Sequence, residues 1–395
     1  MIKTCKKLLI LTLLAVCISN VYSQDALIKA NNDFSFKIYN ATKPDLKNFF
    51  ISPFSLHIAL SIANEGANTT TRQEIDKLLS IENMDNRADS YRRLINYVTC
   101  PMTSERNAAN QIFLANSMWI NEGLKLNDAF QKIVENNYSS EIFRFSTESL
   151  SKANRELNGW VSQKTQNKIK KISGIDKDTR LSIVNAIYFM GEWSIPFKKE
   201  KTNEKKFHTI QKEEIDIDFM NNKDYFNYYE DDEIQCVKLP YKSHQFEMIV
   251  VLPKEMYGLN EVENKLNPAY LSKIEQSNPS CEVQLSFPKF KIESEIFPIG
   301  SIKEMGCGEM FSGKADFSKI SDEFLKIGNI THKTFIEIDE TKTVAAAVTE
   351  LAMFGSATIR KTPPTTKIFN ADHPFIFLIV VKRTNAILFI GRFVE

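Results

Sequence analysis

Apolar positions along the first third of the chain recur mostly at helical spacing. Leu27, Phe34 and Ile38 mark a helical stripe over Ala26–Tyr39 that ends near Lys43-Pro44. Phe49–Ile51 is a short apolar run read as a strand. Ser52 followed by Pro53 is then the pair expected at a helix N-cap and first helical position, ahead of Leu56, Leu60 and Ala63. Thr71-x-x-Glu74 predicts a capping box leading into Ile75, Leu78 and Leu79. Ser90–Tyr97 and Lys152–Lys171 read as further helices, the second turning Leu157, Trp160, Val161 and Ile169 inward, whereas Asn110–Ile120 reads as a strand. From Leu181 the pattern changes. Leu181–Trp193 is a nearly unbroken apolar run, the signature of a strand buried on both faces. Strands are predicted at Phe219–Tyr229, Glu233–Pro240, Phe246–Pro253, Glu282–Lys291, His332–Asp339, Pro374–Val381 and Ala386–Phe393, the last two joined by a turn at Lys382–Asn385. Leu259–Ile274 is helical with a break near Pro268, and Phe297–Gly306 is helical. Helices early and strands late predict an α+β fold with large mixed or antiparallel sheets.

One stretch fits neither a helix nor an ordinary surface loop. Phe335–Pro364 opens as a strand and continues through TVAAAV at Thr343–Val348, with no Pro between Glu340 and Thr362. A surface connection normally carries turn residues and polar side chains. Written as a strand, it puts Thr343, Ala345, Ala347, Thr349, Leu351, Met353 and Gly355 on one face, and Val344, Ala346, Val348 and Phe354 on the other. Both faces suit burial, except at Glu350. The segment is expected to be exposed in one state and inserted into a sheet in another.

The rest of the composition restricts where such a switch operates. Lys3, Lys6 and Lys7, the apolar Leu8–Ile18 and the Val21-Tyr22-Ser23 site before Gln24 make residues 1–23 a predicted secretory signal peptide. The apolar run is too short for a stable membrane anchor. Residues 24–395 show no linker, repeat or compositional shift and are read as a single domain, secreted and extracellular. Asn40, Asn68, Asn137 and Asn329 each begin a glycosylation sequon. Cys100, Cys236, Cys281 and Cys307 are scattered, lack metal spacing and permit three pairings, with no need to pair at all. With 50 basic against 49 acidic residues there is no global attraction to nucleic acid or anionic membrane. The five histidines, His57, His208, His244, His332 and His373, belong to no metalloprotease motif, and neither a nucleophile elbow nor a Cys-x-x-Cys is present. No metal or cofactor is expected.

The residues Glu340–Glu350, ETKTVAAAVTE, and the C-terminal ADHPFIFLIVVKRTNAILFIGRFVE resemble the reactive loop and final strands of the serpin family. FISPFSLHIAL (Phe50–Leu60), NAIYFMGEWSIPF (Asn185–Phe197), LSFPKFKIESE (Leu285–Glu295), ADFSKIS (Ala315–Ser321) and THKTFIEIDE (Thr331–Glu340) extend the likeness over nearly the whole chain, in the family's order. The resemblance implies a serpin fold with three β-sheets and an exposed reactive-centre loop near 340–364. It also implies a suicide substrate for a serine protease, not an enzyme, acting as a monomer that forms a covalent acyl complex. Loop insertion would use Glu340, Lys342, Thr343, Val344, Ala345, Ala346, Ala347, Val348 and Thr349 as the hinge. Lys342 stands where the family usually has Gly and Val344 where it often has Glu, so Lys342 is expected to slow the hinge. Counting the loop from Glu340 puts the reactive bond at Ser356-Ala357, which suits an elastase-like enzyme, or a chymotrypsin-like one at the neighbouring Met353 or Phe354. Counting back from Phe369 selects Arg360-Lys361, which suits a trypsin-like enzyme. The same resemblance assigns Ser52, Ser55, Asn185 and His332 to a polar cluster under the opening sheet, and Trp193, Lys289 and Glu340 to the point where the loop first enters. Lys168, Lys170 and Lys171, then Lys198, Lys199, Lys201, Lys205 and Lys206, are glycosaminoglycan candidates set against the ordinary reading as solvated faces; the Ser90–Tyr97 helix adds only Arg92 and Arg93. The alternative is a non-inhibitory serpin acting as a carrier or interaction protein.

Overall fold

Alternating and continuous apolar runs sort the strands into two sheets. The computed structural model describes residues 24–100, 110–242, 244–340 and 366–395. The first half comprises α1 (24–42), β1 (Phe49–Ile51), α2 (Pro53–Gly66), α3 (Thr69–Leu79), α4 (Arg87–Thr99), β2 (Asn110–Asn121), α5 (Asp128–Tyr138), β3 (Glu141–Phe145), α6 (Leu150–Lys164) and β4 (Leu181–Gly191). The second adds β5 (Asn203–His208), β6 (Glu214–Glu230), β7 (Ile234–Pro240), β8 (Phe246–Pro253), α7 (Leu259–Lys265), α8 (Pro268–Gln276), β9 (Ser280–Pro288) and β10 (Phe290–Ile296). It closes with α9 (Ile299–Glu304), β11 (Asn329–Ile338), β12 (Lys367–Asn370), β13 (Phe375–Val381) and β14 (Ala386–Phe393).

The nine-stranded sheet runs β1-β14-β13-β8-β7-β6-β9-β12, with β5 also on β6; the five-stranded sheet runs β10-β11-β4-β2-β3. Among the described residues these are two continuous sheets where three were expected, because the 17-residue β6 pairs in turn with β5, β9 and β7 and joins their strands into one. Between the two sheets lies the main core. Rings pack within and between the sheets: Phe50 of β1 stacks on Phe389 of β14 with centroids 5.0 Å apart, and Phe290 of the five-stranded sheet stacks on Phe393 of the nine-stranded one at 4.8 Å. Helix α2 is buried on nearly every side, as its continuous apolar sequence requires. Ser52 caps it, accepting a hydrogen bond from the Ser55 N–H. A second, smaller core forms on the opposite face of the five-stranded sheet, where Leu157, Trp160 and Val161 of α6 cover Ala115, Trp119, Val184 and Ala186.

Several sequence expectations change in the folded chain. Thr71 and Glu74 do not form a capping box. Asn68 is the N-cap residue of α3, and the two side chains reach across to the Glu309–Asp316 segment instead. The helix expected over Lys152–Lys171 stops at Lys164, because Gln166 and Asn167 take left-handed backbone angles and the Thr165 hydroxyl donates to the Val161 carbonyl. Glu282–Lys291 is two strands divided after Pro288, which has no N–H to continue a ladder. The polar β5 and the short β3 and β12 exist through their partners and lack a strong apolar pattern of their own. Cys100, Cys236, Cys281 and Cys307 are all free thiols.

At Gly391 a Cβ would lie 2.7 Å from both the Phe377 ring and the Phe49 carbonyl oxygen. Gly391→Ala is therefore expected to destabilise the protein by about 1–3 kcal/mol through over-packing, measurable as a lower urea midpoint.

Candidate functional site

β4 and β11 lie side by side and parallel, in register from Ser182/Asn329 to Tyr188/Phe335. Their outer neighbours, β2 and β10, are antiparallel to them. Past Tyr188 and Phe335 the two strands continue to Gly191 and Ile338 without pairing to each other. A small crevice opens there between Phe189, Gly191, Ile336 and Ile338, floored by Trp193 and Tyr241. The sheet thus has a seam, closed along most of its length and parted at one end.

A row of polar side chains crosses this seam inside the main core. Asn116 on β2 faces Asn185 on β4, and Asn185 faces His332 on β11. All three are buried, as are Ser52 and Ser55 at the start of α2. The Ser52 N–H donates to His332 Nε2 at 3.0 Å, so Nε2 is an acceptor and the ring proton sits on Nδ1. Nδ1–H then donates to Asn185 Oδ1, and Asn185 Nδ2 donates to Ser55 Oγ and Asn116 Oδ1. The Ser52 hydroxyl donates to the Leu388 carbonyl at 2.7 Å, tying the row to the nine-stranded sheet. Burial drives the His332 pKa down to about 3, so these are neutral hydrogen bonds. Neutral bonds of this kind contribute about 1 kcal/mol each, weak enough to exchange. Asn116 was not singled out in the sequence, although a polar residue within NQIFLANSMWI was a legible signal of a buried partner. Ser294 and Thr334, which bond the Phe50 N–H (3.0 Å) and carbonyl (2.5 Å), carried no such signal.

At the parted end a second cluster fixes the exit of β11. Trp193 Nε1 donates to the Asp339 carbonyl at 3.0 Å, and its ring stacks on Tyr241 with centroids 4.6 Å apart. Glu340 is buried, accepting from the Thr202 hydroxyl at 2.6 Å and pairing with Lys289 at 3.2 Å. Burial pushes the Glu340 carboxyl up. The Thr202 hydroxyl, its own backbone N–H and Lys289 together outweigh that and hold it below the usual range. His332 and Glu340 are eight residues apart on one chain, roughly 25 Å at strand spacing.

The structure therefore gathers Ser52, Ser55, Asn185 and His332 in one place, and Trp193, Lys289 and Glu340 in another. Lys342–Thr349, Ser356, Ala357, Arg360 and Lys361 lie outside the described residues, as does the signal-peptide segment. Among the sequons, Asn40 and Asn68 are exposed and Asn137 is half-buried. Asn329 is half-buried in β11, its Nδ2 donating to Thr331 Oγ1 at 3.1 Å. The basic clusters are partly neutralised. Lys168 pairs with Glu337 and Lys206 with Asp216, Lys205 bonds Asn221 and Ser286, and Arg92 and Arg93 both pair with Asp89.

A sequence model of the family described as Serpin (serine protease inhibitor) matches residues 29–395. An uncharacterized serpin-like protein of Thermococcus kodakarensis is 34% identical, over 93% of this chain and 85% of its own length. Among solved structures, the thermophilic serpin tengpin in its native state superposes with a TM-score of 0.82 at 28% identity, covering 93% of this chain and 94% of its own. Human thyroxine-binding globulin in complex with thyroxine gives 0.83 at 27% identity, covering 94% and 99%. With the seam and its two polar clusters in place, the chain belongs to the serpin family, and its α+β architecture is the serpin fold.

Because the folded His332 pKa lies below the ordinary value near 6.5, the unfolded chain takes up the proton first as the pH falls. His332 thus removes stability between about pH 6.5 and 3, at roughly 1.4 kcal/mol per pH unit. His332→Ala should lower stability by about 1–3 kcal/mol at pH 7.5, since it strands the Ser52 N–H and Asn185. The gap to wild type should close as the pH falls from 6 to 4, read from urea titrations at each pH.

Proposed function

We propose that the chain is an extracellular inhibitor of serine endopeptidases, a suicide substrate whose cut loop enters the seam between β4 and β11. The observation that carries this reading is the topology. β11 ends at Ile338, beside the parted end of a parallel pair, and the chain leaves it through Asp339 and Glu340, with two residues between Glu340 and TVAAAV in sequence. A strand folding back from there would run antiparallel to β11 and so to β4. One parallel ladder would be replaced by two antiparallel ones, which are the more stable kind per residue. The eleven residues of β4 span about 36 Å at 3.3 Å each, a length that residues 343–353 of the loop would match. Thr343, Ala345, Ala347 and Thr349 are small enough to enter without over-packing.

In this mechanism the protease serine attacks the carbonyl carbon of the bait residue, forming an ester as the peptide C–N bond breaks. The new amino terminus leaves with the proton passed on by the protease's own base. Insertion then separates Asn185 from His332 and carries the acylated enzyme to the far end of the sheet before water can complete hydrolysis. Ser356-Ala357 remains the preferred bond, with Arg360-Lys361 the alternative. Four further residues add roughly 13 Å of slack to the inserted chain.

A second reading, a non-inhibitory carrier, draws on two observations. Lys342 and Val344 depart from the family's hinge, and one of the similar folds belongs to thyroxine-binding globulin.

Incubation with elastase, chymotrypsin and trypsin in turn should give an SDS-stable complex with one of them, and the mass of the released C-terminal peptide should identify the bond. Cleavage without any complex, leaving the protease active, favours the carrier. Ala345→Asp should cut trapping at least about tenfold while leaving cleavage intact, because the inserted strand would bury an unpaired charge. If the chain is exported, glycosidase-sensitive mass should map to Asn40 and Asn68. Asn329, with its amide bonded within a paired strand, should carry none.

A further inference from the structure

The face of the seam opposite the polar row carries a second alignment, this one aromatic. Phe113 on β2, Tyr188 on β4 and Phe335 on β11 stand in register across three strands. Phe113 stacks on Tyr188 with centroids 5.7 Å apart, and Tyr188 meets Phe335 at 5.8 Å. Tyr188 and Phe335 are also the last paired rung before the strands part.

Over that rung lies the Lys168 ammonium, 6.0 Å from the Tyr188 ring centroid and 5.6 Å from that of Phe335. It pairs with Glu337 at 3.1 Å, and Glu337 is in turn held by Lys291 at 2.7 Å. The backbone that presents Lys168 is fixed on both sides. Thr165 and Ile169 are buried, the Ile169 N–H donates to the Thr165 hydroxyl at 3.2 Å, and Lys333 of β11 donates to the Lys171 carbonyl at 2.6 Å. Lys168 thus binds β4 through one ring and β11 through another ring and a carboxylate.

We propose that Lys168 is a positioning residue that latches the seam at its last closed rung and sets how fast a strand can enter. The proposal rests on the loop-insertion reading. An inserted strand would widen the β4–β11 spacing from about 4.8 Å to roughly 10 Å, and would set its own side chains between the two rings. Lys168 can then follow one strand, not both. Its contacts favour the closed sheet over the opening one by the worth of one exposed cation–π contact, equivalent to roughly two- to fivefold in rate. This gives the basic cluster at Lys168–Lys171 a role inside the fold, distinct from binding a polyanion.

The test is the rate at which the uncleaved protein takes up a synthetic peptide of the sequence Thr343–Ser356, followed on native gels. Lys168→Met keeps the stem and removes the charge, and should speed uptake two- to fivefold. Lys168→Arg should restore the wild-type rate, and Lys170→Met, at an exposed lysine in the same run, should leave it unchanged. Equal rates for wild type and Lys168→Met, or equal acceleration by Lys170→Met, overturn the latch while leaving loop insertion standing. If wild type takes up no peptide and gains no melting temperature when its loop is cut, insertion fails and the latch with it. Circular dichroism of each variant establishes that the fold is intact.

Discussion

Two parallel strands, β4 and β11, are held together at the centre of a sheet whose other neighbours include antiparallel ladders. Parallel pairing forms slanted hydrogen bonds that are slightly less stable per residue than antiparallel ones. The long crossover between β4 and β11 permits parallel pairing, and the two strands pair that way directly, with no strand between them. A strand running the other way could satisfy both edges better. The position and character of both polar clusters, and of the lysine above the seam, make sense in terms of that imbalance.

The closed seam is held differently on its two faces. On the core side the contacts are short-range and neutral, Asn116–Asn185–His332 with Ser52 and Ser55 beneath. A charged histidine here would resist separation far more strongly, and burial prevents that charge by depressing the pKa. On the outer side, aromatic faces and an ammonium supply an attraction that tolerates small displacements. Both sets of contacts are weak bond by bond, and β4 carries no charged side chain, so no ion pair joins it to β11.

Elsewhere the frame is pinned more firmly. Glu263 of α7 is fully buried, accepts from Tyr39 at 2.6 Å, and pairs with Lys43 at 2.6 Å and with the buried Arg392 of β14 at 3.3 Å. This network ties the N-terminal helix to the last long strand. Removing Glu263 would leave Arg392 buried without its carboxylate, a penalty of about 3–5 kcal/mol. The contrast is physical: charge-assisted, fully enclosed bonds where the chain termini meet, and neutral, exchangeable ones along the seam.

Much of this was legible in the residues. The apolar run at Leu181–Trp193 marked a strand buried on both faces, and Ser52-Pro53 marked the start of α2. Motif order identified the family, and with it the residues of both clusters. Periodicity could not supply the partners. β5 is a strand because β6 lies beside it, and Thr71 and Glu74 turn away from their own helix because residues 309–316 offer better donors and acceptors. Nor could spacing place Lys168 over Tyr188 and Phe335, residues distant in sequence that only the sheet register brings together. Local sequence determined where the strongly patterned helices and strands lie and which of their faces are apolar, since these follow from backbone geometry and side-chain type. Tertiary structure alone decided which strands are parallel and which lysine crosses the seam, because those depend on contacts between residues far apart in the chain.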